Sequence, residues 1–526
     1  MRVFPMNASR ARAAFAQIGV TVAAVALSAL IGGCGDNYRP VVTPVNTNGP
    51  APQPTSYTVV VSTTGSSSPG VVTIIDYSGD SVMTEASIGP GPTAFTLDEL
   101  GATGYTINSN GTLSNFSITT SLQTKNVLTS TLPPTAQPVN LMPPSSGLWA
   151  TDLNGNVVDQ FTGSPEAFQR AIPVTGTVTN PNTLPMFIAG SPTPLSGGRE
   201  YVISQDVPDT APMTCNQTPR TVSTNGAATP IELSSNTADP AIPVGKCPVY
   251  AIPSADQQRL YVLNRGDDTL TVINIRNNTL DSGCPPPAGC TNQNGQTYFN
   301  HPVLPLSTTA VAATGVTPPN GTAGMTAIAG PIYAEYNQAT QQLVVANYDG
   351  GSISVIDVSL DEYGNDSATF GTTYTIPVGN TATPNPASVT VLYDGSKAYT
   401  ANQNDGTANG TVTVVNLSTH TVEKTLTVVG HPRTVMNTQN SEYSKIYAVS
   451  PDSPYITIIE SSPTVVDVID TTVLVEGLPI DLRTTTQSGS GGGNNNYSSR
   501  VPGYGQPCNL PGNASLVSLA ACQATP

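Results

Sequence analysis

Charge is scarce in this chain, and so are aromatic and imidazole side chains. Of its 526 residues, 10% are charged and 6% aromatic, with a single Trp, Trp149, and three His. Lys and Arg number 18 against 34 Asp and Glu, a net charge of −16. Nucleic-acid affinity rests on Lys and Arg neutralising phosphates, and no Lys/Arg cluster occurs here, so no nucleic-acid partner is expected. His301, His420 and His431 do not stand at metal-ligand spacing. The chain also lacks His-Glu-x-x-His, Gly-x-Ser-x-Gly, a phosphate-binding Gly-rich loop and Cys-x-x-Cys-His. No catalytic residue, metal ligand or cofactor site can be assigned on these grounds.

Turn residues are what the chain has in quantity. It contains 47 Gly and 48 Pro, close to a fifth of its length, and Thr, Ser and Asn fill much of the rest. Val and Ile recur in short alternating runs. Such a chain is poor in helix formers and rich in β-branched residues, which excludes a helical bundle and disfavours an ordinary α/β enzyme. A large all-β body is expected, long enough to bury a sizeable core.

The one long apolar run is at the N-terminus. Arg2, Arg10 and Arg12 precede the largely apolar stretch from Ala13 to Leu30, the order of a secretion signal. It ends in Leu30-Ile31-Gly32-Gly33-Cys34, which resembles the lipobox of bacterial lipoproteins. That resemblance implies a signal peptide over 1–33 and Cys34 as the acylated first residue of the mature chain. Loss of the signal removes three positive charges and no acid, taking the net charge to −19. Gly35 stands where Asp would retain a lipoprotein in the inner membrane, so an outer-membrane anchor in the bacterial cell envelope is favoured. Residues 34–56 are Pro- and Asn-rich and read as a flexible tether.

Internal repeats decide the fold. Leu260-Tyr261-Val262-Leu263-Asn264, a polar turn, and Thr269-Leu270-Thr271-Val272-Ile273-Asn274 form the clearest unit. It returns at Leu343–Asn347 with Ser352–Asp357, at Ala398–Asn402 with Thr411–Asn416, and at Lys445–Val449 with Tyr455–Glu460. Each is a hairpin signature, and two further strand-like runs complete each unit. Eight units start at Tyr57, Tyr105, Trp149, Tyr201, Tyr261, Val344, Tyr399 and Tyr447, spaced 44 to 83 residues apart. Four antiparallel strands per period describe a β-propeller blade.

Eight blades are expected over 57–485, with seven as the other count if one weak start belongs to a neighbour. An insertion at about 281–325 belongs to the fifth unit. The first unit lacks a leading strand, and Leu478–Arg483 supplies a spare one, so the C-terminal strand near Ile480–Arg483 should close the ring beside Tyr57–Val61. Residues 486–526 read as a Gly/Asn-rich linker and a Cys-containing tail.

Tyr261-Val262-Leu263-Asn264, the Val-Ile-Asp ending at Asp357 and the Ile376-Pro377-Val378-Gly379 link resemble the YVTN-repeat β-propellers. The likeness is specific over about 250–460 and weaker before it. It implies a binding or scaffold module meeting a protein or small molecule at a rim, the 281–325 insertion being the first candidate contact. Sugar-lactonase relatives imply the alternative, a metal-dependent hydrolase with its site in the central channel. A quinone-cofactor dehydrogenase would need more Trp and cationic residues than are present.

The polar turn residues Arg265-Gly266-Asp267-Asp268 suit a hairpin turn. Asn264, Asn347 and Asn402, and the strand-end Asp76, Asn274, Asp357 and Asn416, are read as side chains bonding turn backbone. The three histidines are read as surface loop residues. Without Cys34, six cysteines remain, an even number that points to disulfides in an exported chain. They allow 15 connectivities; locality favours Cys284–Cys290, Cys215–Cys247 and Cys508–Cys522. Metabolic labelling with a fatty acid is expected to mark the wild-type protein and not a Cys34→Ala variant; continued labelling of that variant would contradict the assignment.

Overall fold

The computed structural model describes residues 57–485 except for internal stretches, chief among them 119–126, 175–183, 192–197, 206–223 and 307–328. The signal, the tether with Cys34, and the tail with Cys508 and Cys522 lie outside the described residues, as does Cys215.

The described residues contain no helix. Alternating β-branched residues form strands with one face toward each neighbouring sheet, and Gly, Asn and Asp supply the left-handed turns. The strands build eight antiparallel blades, each with four strand positions from inside to outside. Blade seven shows the plan: Pro386–Val391 innermost, then Lys397–Asn402, Thr411–Asn416 and the outer strand Thr421–Thr427. The eight innermost strands touch their neighbours in turn all the way round, so the ring is closed.

Closure joins the two ends of the array. Leu478–Thr484, last in the sequence, is the innermost strand of blade one and pairs antiparallel with Tyr57–Thr63. Val59 lies opposite Arg483 and Val61 opposite Asp481. The Thr485 N–H donates to the Tyr57 carbonyl at 2.8 Å, and the Tyr57 N–H donates to Thr485 Oγ1 at 2.7 Å. The expected eight blades and their C-terminal fastening are both present. One register differs: the position equivalent to Tyr261 in blade one is Val59, two residues beyond Tyr57.

Innermost strands share a device at their start. Pro92, Pro138, Pro185, Pro248, Pro331 and Pro386 each open one, and a register shift follows each. Proline has no N–H to give the ladder, so this edge position tolerates it, and the bulge turns the next side chains. Blade one repeats the arrangement at Pro479.

Two rims result. The lower rim carries the connections from first to second strand and from third to fourth, and both Tyr57 and Thr485 leave there. The upper rim carries the turns between second and third strands and the links between blades.

Blades are also tied by a repeated clamp at the lower rim. Lys397 Nζ lies 2.8 Å from Asp467 Oδ2 in the next blade, and the Tyr399 hydroxyl donates to Asp467 Oδ1 at 2.9 Å. Lys445 and Tyr447 engage Asp80 of blade one in the same way. Arg199 and Tyr201 reach the Ile275 carbonyl and Asn278 of blade five at 3.1 and 3.2 Å.

The expected 281–325 insertion divides in two. The outer strand of blade five is interrupted: Thr279–Leu280 and Val303–Pro305 both pair with Thr269–Asn274. Residues 281–302 are an excursion at the lower rim that holds the disulfide Cys284–Cys290 and the ribbon of Cys290–Thr291 with Thr297–Tyr298. Residues 307–328, outside the described residues, belong instead to the link from blade five to blade six at the upper rim.

Truncation after residue 475 removes the closing strand and opens edges on blade one. Thermal melting is expected to fall by roughly 10 °C or more, or to lose cooperativity. A truncated protein melting like the intact one would show that the ring does not depend on this strand.

Candidate functional site at the ring axis

An innermost strand has a ladder partner on one side only, so its inward N–H groups need partners from elsewhere. Side chains two residues after the leading proline provide them. Asn140 Oδ1 accepts from the Ile188 N–H of the next blade at 3.0 Å, and Ser388 Oγ accepts from the Val435 N–H at 3.0 Å. In blade one the corresponding residue, Asp481, accepts from the Leu482 N–H at 2.8 Å and from the Thr434 hydroxyl at 3.2 Å.

In blades four to six this position is aromatic. Phe187, Tyr250 and Tyr333 pack in a row with ring centroids 4.7 and 4.8 Å apart, within the range of favourable aromatic pairs. Glu335 lies on the Tyr333 side of its strand, one pleat further along. Arg483 lies one pleat beyond Asp481 and pairs with it at 2.6 Å, while its guanidinium also donates to the Leu482 carbonyl at 3.0 Å. The Arg483 guanidinium sits 5.8 Å from the centre of the Phe95 ring.

These groups meet across the ring. Blade one faces blades five and six, yet the Arg483 charge reaches both Tyr250 and Tyr333. Burial holds both phenols well above their ordinary range, and the Glu335 carboxylate adds to that. Burial pushes Asp481 up to about 6, against the opposing pull of Arg483, the Leu482 N–H, Arg433 and Thr434. Phe187, Tyr250, Tyr333, Glu335, Asp481 and Arg483 are all buried. At this level the wall of the axis carries a buried aromatic row and a buried ion pair. Among the described residues no group of three His, Cys, Asp or Glu could hold a metal.

Several singled-out residues take other roles than a sequence reading assigns. Arg265 lies in the hairpin turn as read, yet is 2% exposed: its guanidinium grips both carboxylate oxygens of Asp349 in the next blade, at 3.0 and 3.1 Å, and lies over Tyr348. Asp268 accepts from the Gly330 N–H at 2.7 Å. Asn264, Asn347 and Asn402 bond hydroxyls rather than turn backbone: each donates to two Ser or Thr side chains of the third strand, at 2.8 to 3.1 Å. The strand-end residues Asn274, Asp357 and Asn416 do accept from turn N–H groups. Asp76 accepts from the Ser78 hydroxyl instead.

All three histidines lie in loops and are partly exposed, and each has a partner. His301 donates its N–H to Asp366 and sets its ring nitrogen 2.9 Å from the same carboxylate, pinning the 281–302 excursion to blade six. His431 pairs with Asp452 at 2.5 Å, and His420 stacks on Tyr374. Cys247 is disulfide-bonded, on the link between blades four and five.

The axis residues are missed when the chain is read unit by unit. Aligning the eight innermost strands on their prolines exposes them: Glu335, Asp481 and Arg483 are charged where the other blades carry apolar, aromatic, Ser, Thr or Asn residues.

No protein-family model matches the chain, and no curated protein matches it in sequence. Solved structures share the fold. Dihydro-heme d1 dehydrogenase NirN is 12% identical, with a TM-score of 0.53, covering 82% of this chain and 76% of its own. A 6-phosphogluconolactonase-like protein of Bacteroides fragilis is 14% identical, with a TM-score of 0.46, covering 83% of this chain and 100% of its own. AztD of Citrobacter koseri is 11% identical, with a TM-score of 0.49, over 83% of this chain and 99% of its own. At these identities the likeness concerns the propeller fold alone.

Buried carboxylates give the ring a pH signature. Asp159 in blade three is pushed up to about 7 by burial and by Asp152, and its Oδ2 has no hydrogen-bond partner. A carboxyl raised in the folded state binds its proton more tightly there than in the unfolded chain. Its stabilising effect is complete below the ordinary carboxylate range and is lost as pH rises through about 7. Asp159→Asn is therefore expected to gain stability on the wild type between pH 5 and 8, by at most about 3 kcal/mol. Parallel melting profiles of the two proteins across that range would contradict this.

Proposed function

We propose that this chain is a lipid-anchored binding propeller of the bacterial cell envelope, related to the YVTN-repeat propellers and held to the membrane through Cys34. Its partner, a protein or a small molecule, meets the upper rim. The observation that carries this reading is the burial of the axis groups: Tyr250, Tyr333, Glu335, Asp481 and Arg483 are buried, so a ligand finds the loops before it finds these side chains. The upper rim carries the turns between second and third strands and the links between blades. Loops on a rigid scaffold are the usual place for recognition. The lactonase-type alternative gains no support at the axis, where Arg483 and Arg433 place positive charge beside Asp481 and oppose a cation there.

Photo-crosslinking residues placed at Tyr348 on the upper rim and at Tyr363 on the lower rim test this in intact cells. Crosslinks are expected at Tyr348, and they should vanish when 307–328 is replaced by a short Gly/Ser link. Lactone hydrolysis by the purified protein that is lost in Glu335→Gln would replace the binding reading with the enzymatic one.

A further inference from the structure

Large apolar side chains are left exposed along one arc of the lower rim. Tyr374 on blade six, Val422 on blade seven, Val466 and Val468 on blade eight, and Val82 and Met83 on blade one are each more than a third exposed, Val466 at 70%. Their strand partners place them at the start of the outer strands: Val422 opposite Val415, Val468 opposite Glu460, Val82 opposite Ile75. Blades eight and one are joined here by the Lys445–Asp80 ion pair, and the side chains recur near the start of the outer strands of four successive blades, with the exposed Glu423 and Asp470 among them. Clustered exposed apolar side chains mark something a fold rests against.

The attachment point lies on this side of the ring. Tyr57, where the N-terminal segment enters the ring, is on the lower rim of blade one. Between Cys34 and Tyr57 lie only residues 35–56, a length that spans about 75 Å at full extension. A lipid at Cys34 would hold the ring within that distance of the bilayer and so raise any weak affinity of this rim through its effective concentration. The arc's cations are already committed: Lys397 and Lys424 to Asp467, Lys445 to Asp80. With no basic patch and a net charge of −16, attraction to acidic headgroups is not the basis of contact.

We infer that the lower rim over blades six to eight and one lies against the phospholipid interface through these apolar side chains, so that the upper rim points away from the membrane. This rests on the lipid-anchored reading above. Contact is apolar and insensitive to salt, and Tyr374 places a ring of the kind that favours the headgroup region.

The test uses the full lipidated protein in vesicles of phosphatidylethanolamine and phosphatidylglycerol. A fluorophore is attached at Val468→Cys or Met83→Cys on the lower rim, and at Tyr455→Cys on the upper rim, where Tyr455, Leu474 and Leu478 form a smaller exposed group. Unchanged melting shows that each labelled protein is folded. The lower-rim labels are expected to lose iodide quenching several-fold on reconstitution and to be quenched by brominated acyl chains, at low and high salt alike; the upper-rim label should keep its aqueous quenching. Protein that floats with vesicles but leaves lower-rim labels open to iodide overturns the inference and spares the anchor. Shielding from iodide without quenching by brominated lipid identifies a protein cover and overturns it too. Failure to float removes the anchored reading and the inference together.

Discussion

A single antiparallel pairing, Leu478–Thr484 against Tyr57–Thr63, turns a row of blades into a ring. Without it the first blade would face the axis with its second strand and present an open ladder where Pro92–Leu97 and Thr434–Asn437 now find a neighbour. The inner wall depends on the same pairing. Asp481 and Arg483 arrive at the axis on the closing strand, and Arg483 acts on both phenols of the opposite blades beside Glu335 of blade six. Closure therefore also delivers two of the three charges gathered at the centre.

Around this ring each blade is held to the next by side chains rather than by ladder bonds. The Lys-x-Tyr pairs at 397/399 and 445/447 reach an acid in the following blade, and Arg265 reaches Asp349. Such pairs are buried or half-buried, where an unpartnered charge would be costly, so each ties its blade to the neighbour. Tyr201, Tyr399 and Tyr447 each use the repeated hydroxyl for an inter-blade bond, which a reading of one hairpin at a time does not reveal, whereas the Tyr261 hydroxyl is buried with no hydrogen-bond partner among the described residues. The repeated Asn serves within its own blade, bracing the third strand through two hydroxyls.

This separates what was legible in the chain from what was not. Blade number and closure follow from local periodicity and from a strand count that leaves one over, and local patterns report local structure well. The roles of Arg265, His301 and the axis residues depend on partners 65 to 84 positions away, or across the whole ring. No window of sequence contains such a pair. The fifth unit misled for another reason: its length suggested one insertion, whereas the outer strand resumes at Val303–Pro305 and splits it between two rims.

Because Tyr57 and Thr485 leave the ring side by side, the closing pair responds to force according to where the force is applied. Pulling the two ends apart loads the hydrogen bonds one after another from Thr485 inward, as a zipper opens. Pulling at Tyr57 against resistance on the upper rim runs along the strands and loads the paired residues from Thr58 to Thr63 together. The same seam is therefore mechanically weak against a tug between its own termini and strong against a load carried through the ring.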